Sequence, residues 1–244
     1  MKEIIDFVSQ YDPGFPNEIR GATEAEIARL EQLAGRKLPN AYRQFLKSMG
    51  RGMDAMGISG YNFGIEAVTE MHGEDEYDWP LRFLVIAEHE TDPYYHYFMD
   101  LDTLHDGDCR VVSFDSSFTS ETLQERHLHV QAASLQNLLF ETAFICKRLA
   151  LLPYLQRLKL LYPKLQAKNT SARETLNVFE QVVLRLGFRK LPFSEPEPML
   201  FDRHDAAIYA KSGFAGEIVC SLAAQDGREV ARLREILKDH SEQN

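Results

Sequence analysis

The stretch TEAEIARLEQLAGRKLPNAYRQFLKSMGRG, residues 23–52, constrains the fold more than any other. Thr23 and Glu26 have the spacing of a capping box, in which each side chain satisfies the other residue's backbone N–H at a helix start. Ile27, Leu30, Leu33 and Ala34 then recur at helical spacing and predict one apolar stripe. Gly35 suits the left-handed residue that follows a helix end. Pro39 has a fixed φ and no N–H to satisfy, so a second helix is expected to open there. Tyr42, Phe45, Leu46 and Met49 give that helix its apolar face, and Gly50 is expected to close it.

Beyond Gly52 the periodicity changes. Tyr61–Val68 reads as a first strand or an irregular edge. Three runs rich in valine, isoleucine and aromatic residues follow, Phe83–Glu88, Tyr94–Asp100 and Cys109–Asp115, separated by DPY and LHDGD turns. They predict an antiparallel meander. A helix is expected from Ser134, with Leu135, Leu138, Leu139, Ala143, Cys146 and Leu149 on one face.

The helix pair, through Glu26, Ile27, Leu30, Glu31, Leu38, Pro39, Tyr42, Phe45, Leu46 and Gly50, resembles the opening of the SUKH superfamily. Residues 83–115 are similar to that superfamily's sheet, and the resemblance covers about residues 20–150. It implies an α+β fold, an antiparallel sheet flanked by helices. It also implies a non-enzymatic binding protein with no cofactor. One branch of the superfamily comprises immunity proteins that neutralise a bacterial toxin, and another the fungal cell-wall-synthesis regulators. A cognate basic toxin domain, such as a nuclease, is the partner expected from the first branch, and endogenous partners from the second.

The rest of the chain is expected to form its own unit, so that the domains run 1–150 and 151–244. Leu151-Leu152-Pro153 should break the preceding helix. Ser171 and Glu174 form another capping box, before Leu176, Phe179, Val183 and Leu186. Phe188–Phe193 reads as a strand, and Ala206–Lys211 and Phe214–Ser221 as a hairpin. Asp226 and Glu229 mark the start of a last helix. The order is α-β-β-β-α.

No sequence motif demands chemistry. The three cysteines, Cys109, Cys146 and Cys220, are scattered, which suits reduced thiols in the cytoplasm. The charged start MKEIID has no signal-peptide core, and no apolar run reaches membrane-spanning length. Gly57-Ile58-Ser59-Gly60 lacks the last glycine of a nucleophile elbow. His89 and His96 with Glu88, Glu90 and Asp92 are ligand types, but they span an expected turn, where solvated charge is the simpler reading. His127 and His129 read as loop histidines. Asp202-Arg203-His204-Asp205 reads as a polar turn between strands. From Lys147 to Lys190 ten bases face only two acids, Glu174 and Glu180. Because those bases alternate with leucines at helical spacings, they are expected on a solvated helix face rather than on a nucleic-acid surface.

Charge is the remaining signal. The chain carries a net −10, yet between Glu66 and Glu125 16 acids face two bases, Arg82 and Arg110. A concentrated negative face attracts a basic partner and repels phosphate. The expected contact residues are Glu74, Asp75, Glu76, Asp78, Glu88, Glu90 and Asp92.

Overall fold

A computed structural model describes residues 1–53, 56–58, 60–73, 79–167, 170–193, 197–213 and 216–243. The chain divides into two compact units, Met1–Ala143 and Phe144–Asn244. Both are α+β, each with a five-stranded antiparallel sheet.

The first unit opens with α1 (Lys2–Ser9), whose Ile4, Phe7 and Val8 are buried, and the single turn α2 (Phe15–Glu18). The helix pair follows as α3 (Glu24–Leu33) and α4 (Asn40–Met49). Thr23 and Glu26 close their capping box: the Thr23 hydroxyl accepts the Glu26 N–H, and the Glu26 carboxylate accepts the Thr23 N–H at 2.8 Å. Gly35 is left-handed at φ 66°. Gly50 is not: its φ is −61°, and its role is space, because a Cβ there would lie 2.7 Å from the Leu46 carbonyl oxygen. Leu33 is 41% exposed, and the buried place expected for it is taken by Glu31. The Glu31 carboxylate accepts the Leu38 N–H at 3.3 Å and pairs with Lys37 and Arg43, so one buried acid ties α3 to the Leu-Pro link and to α4. Leu38, Tyr42, Phe45, Leu46 and Met49 are all buried.

Only Tyr61–Asn62 of the next segment is strand (β1); Ile65–Gly73 is a helix, α5, burying Ile65, Val68 and Met71. The sheet continues through β2 (Phe83–His89), β3 (Tyr97–Asp100), β4 (Val111–Ser113) and β5 (His129–Ala132), in spatial order β1-β2-β3-β4-β5. Phe83–Ala87 are buried without interruption, so both faces of β2 are covered. A register shift between Val85 and Ala87 re-aims the end of β2. The strand β5 falls where loop histidines were expected. His129 opens it, and His127 stands before it, stacked on Phe118 at 4.2 Å with its Nδ1 accepting the Gln124 N–H.

The helix α6 (Leu135–Lys147) ends two residues before Leu149, which lies in a separate short turn. Its start is capped from a distance. Asp108, in the β3–β4 turn, accepts the Leu135 N–H at 3.0 Å with one oxygen and the Gln136 N–H at 3.1 Å with the other. Removing a side-chain cap costs about 1 kcal/mol. Asp108→Ala is therefore expected to lower unfolding free energy by about that amount in denaturant titration, with an unchanged m-value.

The second unit has two strands more than its sequence predicts. They are β6 (Tyr154–Leu160), which falls within the basic run read as helical, and β8 (Met199–Arg203). With β7 (Arg189–Lys190), β9 (Ala206–Ser212) and β10 (Ile218–Ala224) they make a sheet of order β6-β10-β9-β8-β7. The helices α8 (Ala172–Arg185) and α9 (Gly227–Gln243) cover it, with the short α7 (Pro163–Ala167) between β6 and α8. Leu158, Leu160, Phe179, Phe201, Ile208 and Leu233 lie at the centre of its core. Of the expected polar turn, only His204 and Asp205 form the turn, while Asp202 and Arg203 end β8 and pair with Ala207 and Ala206 of β9. Asp226 caps α9 through the Arg228 N–H. Glu229 does not complete a box with it, but turns to Arg203 and Arg232.

Candidate protein-binding surface

The acidic block separates into carboxylates that hold the fold and carboxylates that face solvent. Asp100 is fully buried and accepts from both bases of the block, Arg82 Nε and Nη2 at 2.6 Å and Arg110 Nε at 2.7 Å. Glu125 closes the same cluster by pairing with Arg82 and Arg110. Asp108 caps α6, and Ser117, through its hydroxyl and its N–H, holds the Asp115 carboxyl below the usual range. The two arginines of the block are thus committed to Asp100 and Glu125, not to the acids nearer β1 and α5.

Of the expected contact residues, Glu74, Asp75, Glu76 and Asp78 lie outside the described residues. The structure places Glu88, Glu90 and Asp92 together, at the end of β2 and in the turn after it. Asn62 of β1 pairs with Glu88, and the Glu90 N–H donates to the Gly60 carbonyl at 3.0 Å. The turn is fixed from inside. His89 Nδ1 accepts the N–H groups of Thr91 and Asp92, and His96 Nδ1 accepts the His89 N–H at 3.1 Å. Asp92 in turn accepts the Tyr94 N–H at 3.0 Å. These ring nitrogens therefore organise backbone. Among the described residues no group of three or more His, Cys, Asp or Glu side chains is placed to hold a metal ion.

Two residues expected inside a strand belong to this tip instead. β3 begins only at Tyr97, which leaves Tyr94 54% and Tyr95 39% exposed beside Asp92. The signal for them was the Asp92-Pro93 pair, a turn former that delays the strand. Exposed tyrosines beside carboxylates have the composition of interface anchors, with large area and a polar end at low entropic cost.

The structure also adds Glu66 and Glu70, which are not among the expected contacts: Tyr61–Val68 reads in sequence as a strand or an irregular edge, whereas Ile65–Gly73 is helix. Both are exposed on α5. Glu66 and Glu90 line one cleft of about 600 Å³ together with Arg20, Arg51, Tyr61 and Asn62, and Glu66 and Glu70 share the adjoining hollow. Arg51 is held by Glu26 at its Nε, 2.9 Å away. Tyr61 stacks on Tyr97 at 3.8 Å and meets His89 edge-on, which makes a firm wall between cleft and turn. The result is a carboxylate strip from Glu70 and Glu66 to Glu90, with Arg20 and Arg51 in the same cleft and Asp92 two residues beyond Glu90 in the turn.

The other candidate chemistry resolves into packing. Cys109 and Cys220 are buried, which pushes each thiol up to about 12, and no cysteine is in a disulfide. Asp202 pairs with buried Arg148 at 2.7 Å, and Arg203 pairs with Asp205 and Glu229. Ser59 lies outside the described residues. No described helix is long and apolar enough to cross a membrane.

The model of the SMI1 / KNR4 family (SUKH-1) matches residues 21–141 of the chain. The match takes in the helix pair, α5 and the five-stranded sheet, and ends before the second unit begins.

Proposed function

We propose that this chain, which through residues 21–141 belongs to the SUKH superfamily, is an immunity protein that neutralises a basic toxin domain by direct occlusion in the cytoplasm. The family is compatible with an immunity or a regulatory binding module, and the kind of partner it suggests is another protein. The observation that favours the immunity reading is the strip formed by Glu66, Glu70, Glu88, Glu90 and Asp92, with Tyr94 and Tyr95 at its end. A nuclease binds phosphates and so presents a basic site. Carboxylates laid over that site speed encounter and set specificity, while the tyrosines supply desolvated contact area. Glu74, Asp75, Glu76 and Asp78 belong to the same proposal by their charge and their place between α5 and β2.

Pull-down from the native host's lysate at low and high salt, read by mass spectrometry, identifies the partner. A single basic protein retained at low salt supports the proposal. Several endogenous housekeeping partners would move the assignment to the regulatory branch. With the partner in hand, the joint variant Glu66→Lys, Glu88→Lys, Glu90→Lys, Asp92→Lys is expected to weaken binding at least tenfold and to flatten its salt dependence. Unchanged affinity would remove the acidic strip from the interface.

A further inference from the structure

The strand β6 is the long open edge of the second sheet. All seven of its residues pair with β10 in continuous register, without bulge or proline, and no strand lies on its other side among the described residues. The opposite edge, β7, has only two residues. Leu158 and Leu160 point into the core, so Leu155, Arg157 and Lys159 point to the other face, where all three are exposed. Tyr154 and Leu155 are each more than half exposed, as is Leu161 just beyond the strand. An edge of this kind presents a row of backbone donors and acceptors, the template for β-strand addition.

We propose that β6 docks an extended acidic segment of a partner protein as a sixth strand. Charge selects the occupant. Strand register sets Lys159, Val219 and Lys211 in one row across β6, β10 and β9, and Arg157, Ser221 and Tyr209 in the next. Residues paired across neighbouring strands project to the same face, so an added strand places its side chains opposite Arg157 and Lys159 within that basic patch. Glu217 meets Lys159 at 3.2 Å but leaves it 73% exposed, and Arg157 has no carboxylate beside it in the register. Carboxylates in the added strand are therefore favoured at two positions separated by one residue. That middle residue lies opposite Leu158 and is favoured as apolar. A second copy of this chain fits poorly. Antiparallel self-pairing centred on Arg157 sets Arg157 against itself, and centring on Leu158 sets it against Lys159.

The test uses the full chain and a fluorescein-labelled peptide of alternating valine and glutamate, long enough to pair with all of β6. Fluorescence anisotropy should show saturable binding, and hydrogen exchange should slow at the amides of residues 154–160. The variant Arg157→Glu, Lys159→Glu should lose affinity roughly tenfold for this peptide and gain it for the valine–lysine counterpart. Both substituted side chains are exposed, so the fold should survive, as circular dichroism can verify. The inference is overturned if the peptide does not bind, if charge reversal leaves affinity unchanged, or if a backbone N-methylated peptide binds as well. It is also overturned if sedimentation shows self-association that protects β6. None of these outcomes depends on the acidic strip of the first unit.

Discussion

Replacing Asp100 by alanine is expected to destabilise the first unit by about 3–5 kcal/mol, the usual cost of breaking a buried ion pair from one side. Asp100 is fully buried, and three guanidinium N–H groups donate to it at 2.6–2.7 Å. It also joins three stretches of backbone: its own at the end of β3, Arg82 before β2, and Arg110 before β4. Without its carboxylate, Arg82 and Arg110 keep their charge, and their remaining carboxylate partners among the described residues are the exposed Glu125 and Asp102. Burial pushes the Asp100 carboxyl up, but the bonds from Arg82 and Arg110 outweigh burial and hold it below the usual carboxylate range. With the folded-state pKa under the unfolded value of about 3.9, this stabilisation is fully present above that value. It is lost as pH falls through the folded-state pKa. Denaturant titrations from neutral pH downward should therefore show wild type losing stability below about pH 4 more steeply than Asp100→Asn, which cannot titrate there. Equal slopes would mean that the carboxylate carries no net stabilisation.

What the sequence made legible was local. The capping boxes at Thr23 and Ser171 each join residues three apart, so residue identity alone foretells them. The same holds for the apolar face of α4 and for the meander, whose strands are neighbours in sequence. The features that escaped depend on distant partners. Nothing near Asp108 says that it will cap a helix beginning 27 residues later. Glu31 occupies a buried place because Leu38 and Arg43 come back to it, and a stripe drawn on α3 alone gives that place to Leu33. In β6 only Arg157 to Leu160 alternate cleanly between exposed and buried, and leucine–base repeats of that length suit a helix equally. For the candidate surface, the acids of β2 and its turn were evident as charge. Glu66 and Glu70 join them only because α5 is a helix beside that strand.

Phe45→Ala tests the frame on which that surface is mounted, and it too should cost about 3–5 kcal/mol. Phe45 is fully buried at the middle of α4, stacked 6.0 Å from Tyr42 and edge-on at 6.1 Å to Phe63, which in turn meets Tyr97 of β3. The ring thus connects the helix pair to the segment between β1 and α5, where the cleft lies. Truncation removes the transfer energy of a phenyl group and leaves a cavity that rigid neighbours on α4 and the sheet fill only in part. Leu81→Ala serves as the control: this leucine is 78% exposed, and its truncation should stay within about 0.5 kcal/mol. Because Phe45 touches Phe63, the loss should also loosen the backbone of residues 60–65, read as faster hydrogen exchange there than at β4. A Phe45→Ala protein as stable as Leu81→Ala would contradict the packing of the helix pair. One that is destabilised but keeps normal exchange at residues 60–65 would separate the stability of the core from the rigidity of the acidic strip.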